Sequence, residues 1–199
     1  MTSAADALQR LRDGNMRFVD GTNDVANTLG QARRAELVDG QDPFAVILAC
    51  SDSRVPVELV FDQGLGDLFV IRVAGNIVAP SQIGSIEYAA SQLGTQLVVI
   101  LGHSNCGAVQ ATLAQLADEQ GQLSPNLRAI VDLIRPAIEP LLARESDVSL
   151  HDAVVANVHQ SVEQLVQDSE IIRGLIQNGS LRVVGAEYSI ESGEVEFFD

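Results

Sequence analysis

The chain has 199 residues, 46% of them hydrophobic, which gives one domain (or one domain with an arm) and enough apolar mass for a real core. Its 27 acidic and 12 basic side chains leave a net charge of −15, which repels nucleic acid and anionic membrane surfaces. All the basic residues are arginines, which excludes lysine Schiff bases, pyridoxal phosphate attachment and P-loop phosphate binding.

Apolar groups at Ala5, Leu8, Leu11 and Phe18 predict a helix over residues 4–19, with Ser3 as its N-cap. A second helical stretch runs through Ala32–Leu37. Both precede the first strong strand, so residues 1–40 read as a helical arm that reaches a partner subunit, within a single domain spanning 1–199. The pattern then changes to unbroken apolar runs at Phe44–Ala49, Leu68–Ile71 and Leu97–Leu101. Runs of this kind suit strands of a parallel sheet covered on both faces. Helices are predicted over 82–93, 108–117, 125–143 and 149–177, the last broken near Asp168, with Asn178-Gly179 as a stop. Leu181–Ala186 reads as a fourth core strand. A short turn at Glu191-Ser192-Gly193 leads to Val195–Phe198, which should pair antiparallel at a sheet edge. The fold class is therefore α/β: a mostly parallel central sheet with an antiparallel edge strand, flanked by helices.

Both cysteines lie in two short segments, Cys50-Ser51-Asp52-Ser53-Arg54 and Gly102-His103-Ser104-Asn105-Cys106-Gly107. Two thiolates and an imidazole are donors that suit zinc. Cys50 ends the first apolar run and His103 follows the third, so neighbouring strands would bring both motifs to one carboxyl rim of the sheet, where open α/β sheets gather functional groups. Asp52 has two roles open to it. It pairs with Arg54 and accepts a hydrogen bond from zinc-bound water, or it becomes the fourth ligand. A closed tetrahedral site is structural and an open one catalytic. Gly107 opens a helix candidate whose free amides suit an anionic product such as bicarbonate. No apolar run reaches membrane-spanning length and no secretory signal is visible at the start, so a reducing cytoplasm is expected, in which two cysteines serve as ligands or buried thiols rather than a disulfide.

At these residues the sequence closely resembles the β-class carbonic anhydrases. The resemblance is carried by Cys50–Arg54, Arg72-Val73-Ala74-Gly75-Asn76, Ser85-Ile86-Glu87-Tyr88-Ala89 and Gly102–Ala108, with weaker matches at Gly14–Phe18 and Val184–Tyr188. It implies one zinc ion per subunit on Cys50, His103 and Cys106, with Asp52 as an alternating fourth ligand that pairs with Arg54 when released. It implies reversible hydration of CO2 to bicarbonate and a proton through a zinc-bound hydroxide. By the same likeness Gln41 is a substrate-facing amide, Phe69 and Tyr88 line an apolar CO2 pocket partly contributed across a dimer interface, and the Gly107 N–H donates to bicarbonate. A homodimer or homotetramer follows, acting on a small-molecule substrate. Family members with an allosteric bicarbonate site carry a Trp where this chain has Ile47; Arg72 alone does not make that site.

Two other functions share these residues: hydrolysis of COS or CS2, and a non-catalytic zinc- or bicarbonate-responsive protein whose site stays shut. His151 and His159 read as solvated helix residues.

Overall fold

The computed structural model describes residues 2–23, 31–117, 123–144 and 148–198. Helix α1 (Ala4–Val19) leads to the six-residue α2 (Gln31–Glu36), then β1 (Ala45–Ala49), α3 (Val57–Val60) and β2 (Leu68–Arg72). Next come a 3₁₀ turn (Ala74–Asn76), α4 (Pro80–Gln92), β3 (Leu97–His103), α5 (Gly107–Ala117) and α6 (Pro125–Leu142). The chain ends with α7 (Leu150–Asp168), α8 (Glu170–Gln177), β4 (Arg182–Tyr188) and β5 (Val195–Phe198).

Local chemistry starts and stops these elements. Ser3, Ser124, Ser149 and Ser169 each accept a hydrogen bond from a first-turn amide of the helix that follows, relieving one of its unpartnered donors. Ser169 lies between α7 and α8, so the break expected near Asp168 is a capped restart of the chain. Pro80 and Pro125 sit at helix starts, where a missing N–H costs nothing.

The five strands are ordered β2-β1-β3-β4-β5, all parallel except the β4–β5 edge pair. Ala45–Ala49 and Leu97–His103 are buried at every position, which explains why their apolar runs do not alternate. Each strand feeds both faces. Ile47, Leu97, Val99 and Leu101 join one core with Leu8 and Leu11 of α1 and Phe61. Val46, Leu48, Val98 and Ile100 join another with Ile86 of α4, Val158 and Leu165 of α7, and Ile172 of α8. Truncating one of these fully buried leucines or isoleucines to alanine costs roughly 2–5 kcal/mol.

Helix α1 packs on the sheet of its own subunit. Ala7, Leu8 and Leu11 are buried there, and the buried Asn15 donates to the carbonyls of Val60 and Gly193 and accepts from the Val195 N–H. Arg10 lies over the Phe44 ring and Arg12 over Phe197. β3 and β4 run two residues further than their apolar runs suggested, carrying His103 and Tyr188 as a register pair. The position that matters most lies between β1 and β3. From β1 the chain moves outward to β2 on one side and returns to β3 on the other, so the crevice outside their carboxyl ends is the topological switch point where ligands bind in open α/β sheets.

Candidate metal centre

Cys50 directly follows β1, His103 ends β3, and Cys106 immediately precedes α5. Strand pairing therefore closes the long sequence gap between them. The ligating atoms of Cys50, His103 and Cys106 all lie within 4.8 Å of one another, and all three residues are buried. Among the described residues, no other group of three or more His, Cys, Asp or Glu side chains gathers this closely.

The ring of His103 is 0% exposed. Its Nδ1 lies 2.9 Å from the Ser104 carbonyl, which can only accept, so Nδ1 carries the proton and Nε2 presents its lone pair. Nε2 is buried and has no hydrogen-bond partner. A buried imidazole nitrogen left without a partner beside two sulfurs fits a cation, since buried polar atoms are otherwise almost always satisfied. Burial opposes charge on this ring, but the Cys50 sulfur, the Ser104 carbonyl and the Asp52 charge together outweigh it and raise the pKa.

The two sulfurs behave as a pair. The thiol of Cys106 hydrogen-bonds the Cys50 sulfur and, against the opposing effect of burial, brings Cys50 down to about 4. The same bond pushes Cys106 up. The amides of Val109 and Ala108 in the first turn of α5 work the other way and favour a thiolate at Cys106. A divalent cation at this cluster would replace the shared proton, with Cys50 and Cys106 as the residues that would hold it.

Asp52 stands next to the cluster, with Oδ2 4.0 Å from His103 Nε2. Arg54 holds it from three points. The Arg54 backbone N–H and Nε each donate to Oδ1 at 2.9 Å, and Nη2 donates to Oδ2 at 2.8 Å. The side-chain bonds from Arg54 hold the Asp52 carboxyl well below the usual carboxylate range. Arg54 also reaches the Asn105 carbonyl at 3.3 Å and so ties the two loops together.

Beside Gly107 a cavity of about 270 Å³ opens, lined by Ala74, Ala108, Ala111, Leu127 and Ile130 among others, with almost no polar surface. It is suited to a small apolar molecule.

Over residues 45–195 the chain matches the family model described as carbonic anhydrase. It is similar to a carbonic anhydrase of Mycolicibacterium smegmatis, at 44% identity over 96% of this chain and 91% of that protein. It belongs to the β-carbonic anhydrase family. Among solved structures it is similar to the β-carbonic anhydrase CcaA, with a TM-score of 0.76 and 29% identity over 96% of this chain and 87% of that one. It also resembles the tetrameric β-carbonic anhydrases of Sordaria macrospora, with a TM-score of 0.72 and 26% identity over 83% of this chain and 85% of the other.

The structure thus brings Cys50, Asp52, Arg54, His103, Cys106 and Gly107 to one rim. It does not bring Gln41, Phe69 or Tyr88 to that rim within one subunit. Gln41 is exposed before β1, in a groove with Leu37, Val38 and Gly66. Phe69 pairs with Val46, near the amino ends of the strands and roughly 10 Å along the strand from the Ala49–Arg72 pair. Tyr88 of α4 packs on Phe69 with ring centroids 6.2 Å apart and is 49% exposed.

Several residues that sequence reasoning left without a role also build the site. Arg72 at the end of β2 donates to the carbonyls of Cys50 at 3.0 Å and Asp52 at 2.5 Å, so it clamps the loop that presents both side chains. Ser104 accepts from the Ile190 N–H and pins the second loop to the end of β4. The Gly75 N–H donates to Cys50 Sγ at 3.3 Å. Arg72 and Gly75 stood inside a motif that carried the resemblance, but nothing in the sequence showed which atoms they would hold.

Proposed function

We propose that this protein is a zinc-dependent carbonic anhydrase, which interconverts CO2 and bicarbonate. The observation that carries this reading is the partnerless Nε2 of His103, held with two sulfurs inside a 4.8 Å cluster and next to an arginine-held carboxylate. Cys50, His103 and Cys106 would hold the ion, and thiolate with imidazole selects zinc over the oxygen-seeking cations. When bound, zinc supplies the Lewis acidity that makes water a nucleophile near neutral pH.

The protein's own groups do the rest. Asp52, kept ionised by Arg54, accepts a hydrogen bond from the attacking water and orients it. The apolar walls at Ala74, Ala108 and Ala111 hold CO2 without competing hydrogen bonds. As carbon–oxygen bond formation places negative charge on the former CO2 oxygens, the Gly107 amide at the start of α5 faces that charge. Bicarbonate leaves, and the proton removed from water passes to solvent or buffer, so the sum is CO2 plus water giving bicarbonate and a proton. Asp52 sits close enough to the cluster to serve also as an alternating fourth ligand, which would shut the site.

The working unit in this reading is a homodimer or homotetramer, with Gln41, Phe69 and Tyr88 closing the cavity of a neighbouring subunit. The half-exposed Tyr88 and the tetrameric Sordaria relatives support it. Two unlinked cysteines suit a reducing cytoplasm. Among the described residues, no helix is long and apolar enough to cross a membrane.

Metal analysis and stopped-flow CO2 hydration on one preparation test the proposal. One zinc per chain with hydration well above background is expected. Stoichiometric zinc with no hydration from mildly acidic to alkaline pH would overturn it.

A further inference from the structure

The main-chain hydrogen bond to Cys50 Sγ comes from Gly75, and Gly75 is in an uncommon conformation. Gly75 has φ 71° and the next residue, Asn76, has φ 44°, so two successive residues are left-handed. Glycine suits the first position best. A Cβ on Gly75 would lie 2.7 Å from Ile134 Cδ1 and 3.1 Å from Ala108 Cβ, besides straining the backbone. A turn of this kind persists only where its surroundings over-determine it.

Helix α7 supplies that constraint. Asn157 Nδ2 donates to the Gly75 carbonyl at 2.9 Å, and one helical turn later Ser161 Oγ donates to the Asn76 carbonyl at 3.2 Å. Both side chains are buried, at 1% and 3% exposure, and positions four apart share one helix face. The remaining bond of the turn, from the Asn76 N–H to the Val73 carbonyl at 3.1 Å, lies within the loop itself. The carbonyls of the two peptides that follow Gly75 and Asn76 are therefore tied to α7, an element that contributes no ligand.

We propose that Asn157, seconded by Ser161, is a positioning residue of the metal centre. It locks the Gly75–Asn76 turn so that the Gly75 amide is aimed at the Cys50 sulfur, and through that bond it sets how much charge the sulfur donates to the ion. The inference rests on the metal-centre reading above. An N–H bond to a thiolate draws charge from it, and partners beyond the ligands tune a metal site nearly as strongly as the ligands do. Without Asn157 the Gly75 carbonyl is buried and unpaired, the Gly75–Asn76 peptide turns to find another partner, and the change in ψ at Gly75 shifts the adjoining amide away from the sulfur.

Cobalt substitution reads this directly. The wild-type protein loaded with Co2+ is expected to show a near-ultraviolet sulfur-to-cobalt charge-transfer band. In Asn157→Leu that band moves to longer wavelength, because a sulfur freed of its hydrogen bond gives up charge more readily, and zinc affinity in competition with a chelating dye falls on the order of 10–100-fold. Ser161→Ala shifts the band the same way by less. Leu165→Ala, on the same helix but buried in the core away from the turn, lowers thermal stability and leaves the band in place. An unshifted band and unchanged affinity in both Asn157→Leu and Ser161→Ala would overturn the inference; should Asn157→Leu not fold, an unshifted Ser161→Ala overturns it alone. A wild-type protein with no charge-transfer band would bring down the metal-centre reading itself, which is a distinct result.

Discussion

Asp52 and Glu187 are two carboxylates that the fold treats in opposite ways. Asp52 is held by hydrogen bonds from Arg54 and its pKa is depressed. In the proposed mechanism Asp52→Ala removes the carboxylate that orients the attacking water but none of the three side chains of the Cys50–His103–Cys106 cluster. Activity is expected to fall on the order of 10²-fold with zinc retained, checked by stopped-flow assay and metal analysis on the same sample. Glu187 of β4 is 8% exposed, its Oε1 has no hydrogen-bond partner, and burial pushes its pKa up. His151 of α7 lies 3.2 Å from Oε2, Glu196 stands opposite on β5, and the more distant charge of His103 opposes the rise. A raised folded-state pKa means the native chain holds a proton that the unfolded chain has released. The corresponding stability is fully present below the ordinary glutamate pKa of 4.5 and is lost as pH rises through the folded value. Glu187→Gln, which cannot ionise, is therefore expected to gain in Tm over the wild type as pH climbs from about 4 to 8. A Tm difference that stays flat across that series would refute the argument.

At the scale of elements, hydrogen bonding explains what the sequence revealed and what it hid. The strands could be read because burial on both faces leaves an unbroken apolar run, whereas the caps at Ser124, Ser149 and Ser169 emerged only in the structure and divide the predicted 149–177 helix into α7 and α8. The helix Val57–Val60 is too short for a periodic pattern. The Gly75–Asn76 turn depends on Asn157 and Ser161, more than 80 positions away, which look in isolation like ordinary polar helix residues. The meeting of Cys50, His103 and Cys106 could be expected from donor chemistry and strand order; the clamps on that cluster, Arg72 and Gly75, could not, because their partners are main-chain atoms and a sulfur in other loops. Gly14 shows how close the packing of α1 is. A Cβ there would lie 1.9 Å from the Phe61 carbonyl oxygen and 2.9 Å from Gln63 Nε2. Backbone cannot yield as a side chain does, so Gly14→Ala is expected to cost about 1–3 kcal/mol or more, read as a Tm drop of several degrees in a thermal melt. An unchanged melt would show that α1 does not need this contact.

For the whole molecule, the separation of Gln41, Phe69 and Tyr88 from the cluster is the fact that assembly has to answer. If a neighbouring subunit brings them in, Tyr88→Arg should shift the protein towards monomer in light scattering and lower CO2 hydration on the order of tenfold or more, with zinc per chain unaltered. A fully active monomeric Tyr88→Arg would show that each subunit works alone. Asn15 has a consequence of a different kind. It joins the first helix to the hairpin that ends the chain, through partners 178 and 180 positions away at Gly193 and Val195. The helix finds part of its core nearer in sequence, at Val60 and Phe61, but these two bonds close only when the β4–β5 hairpin has formed, and closing so long a loop is slow. The turn at Glu191–Gly193 therefore decides when the seating of α1 is complete, although the two lie at opposite ends of the fold's sequence.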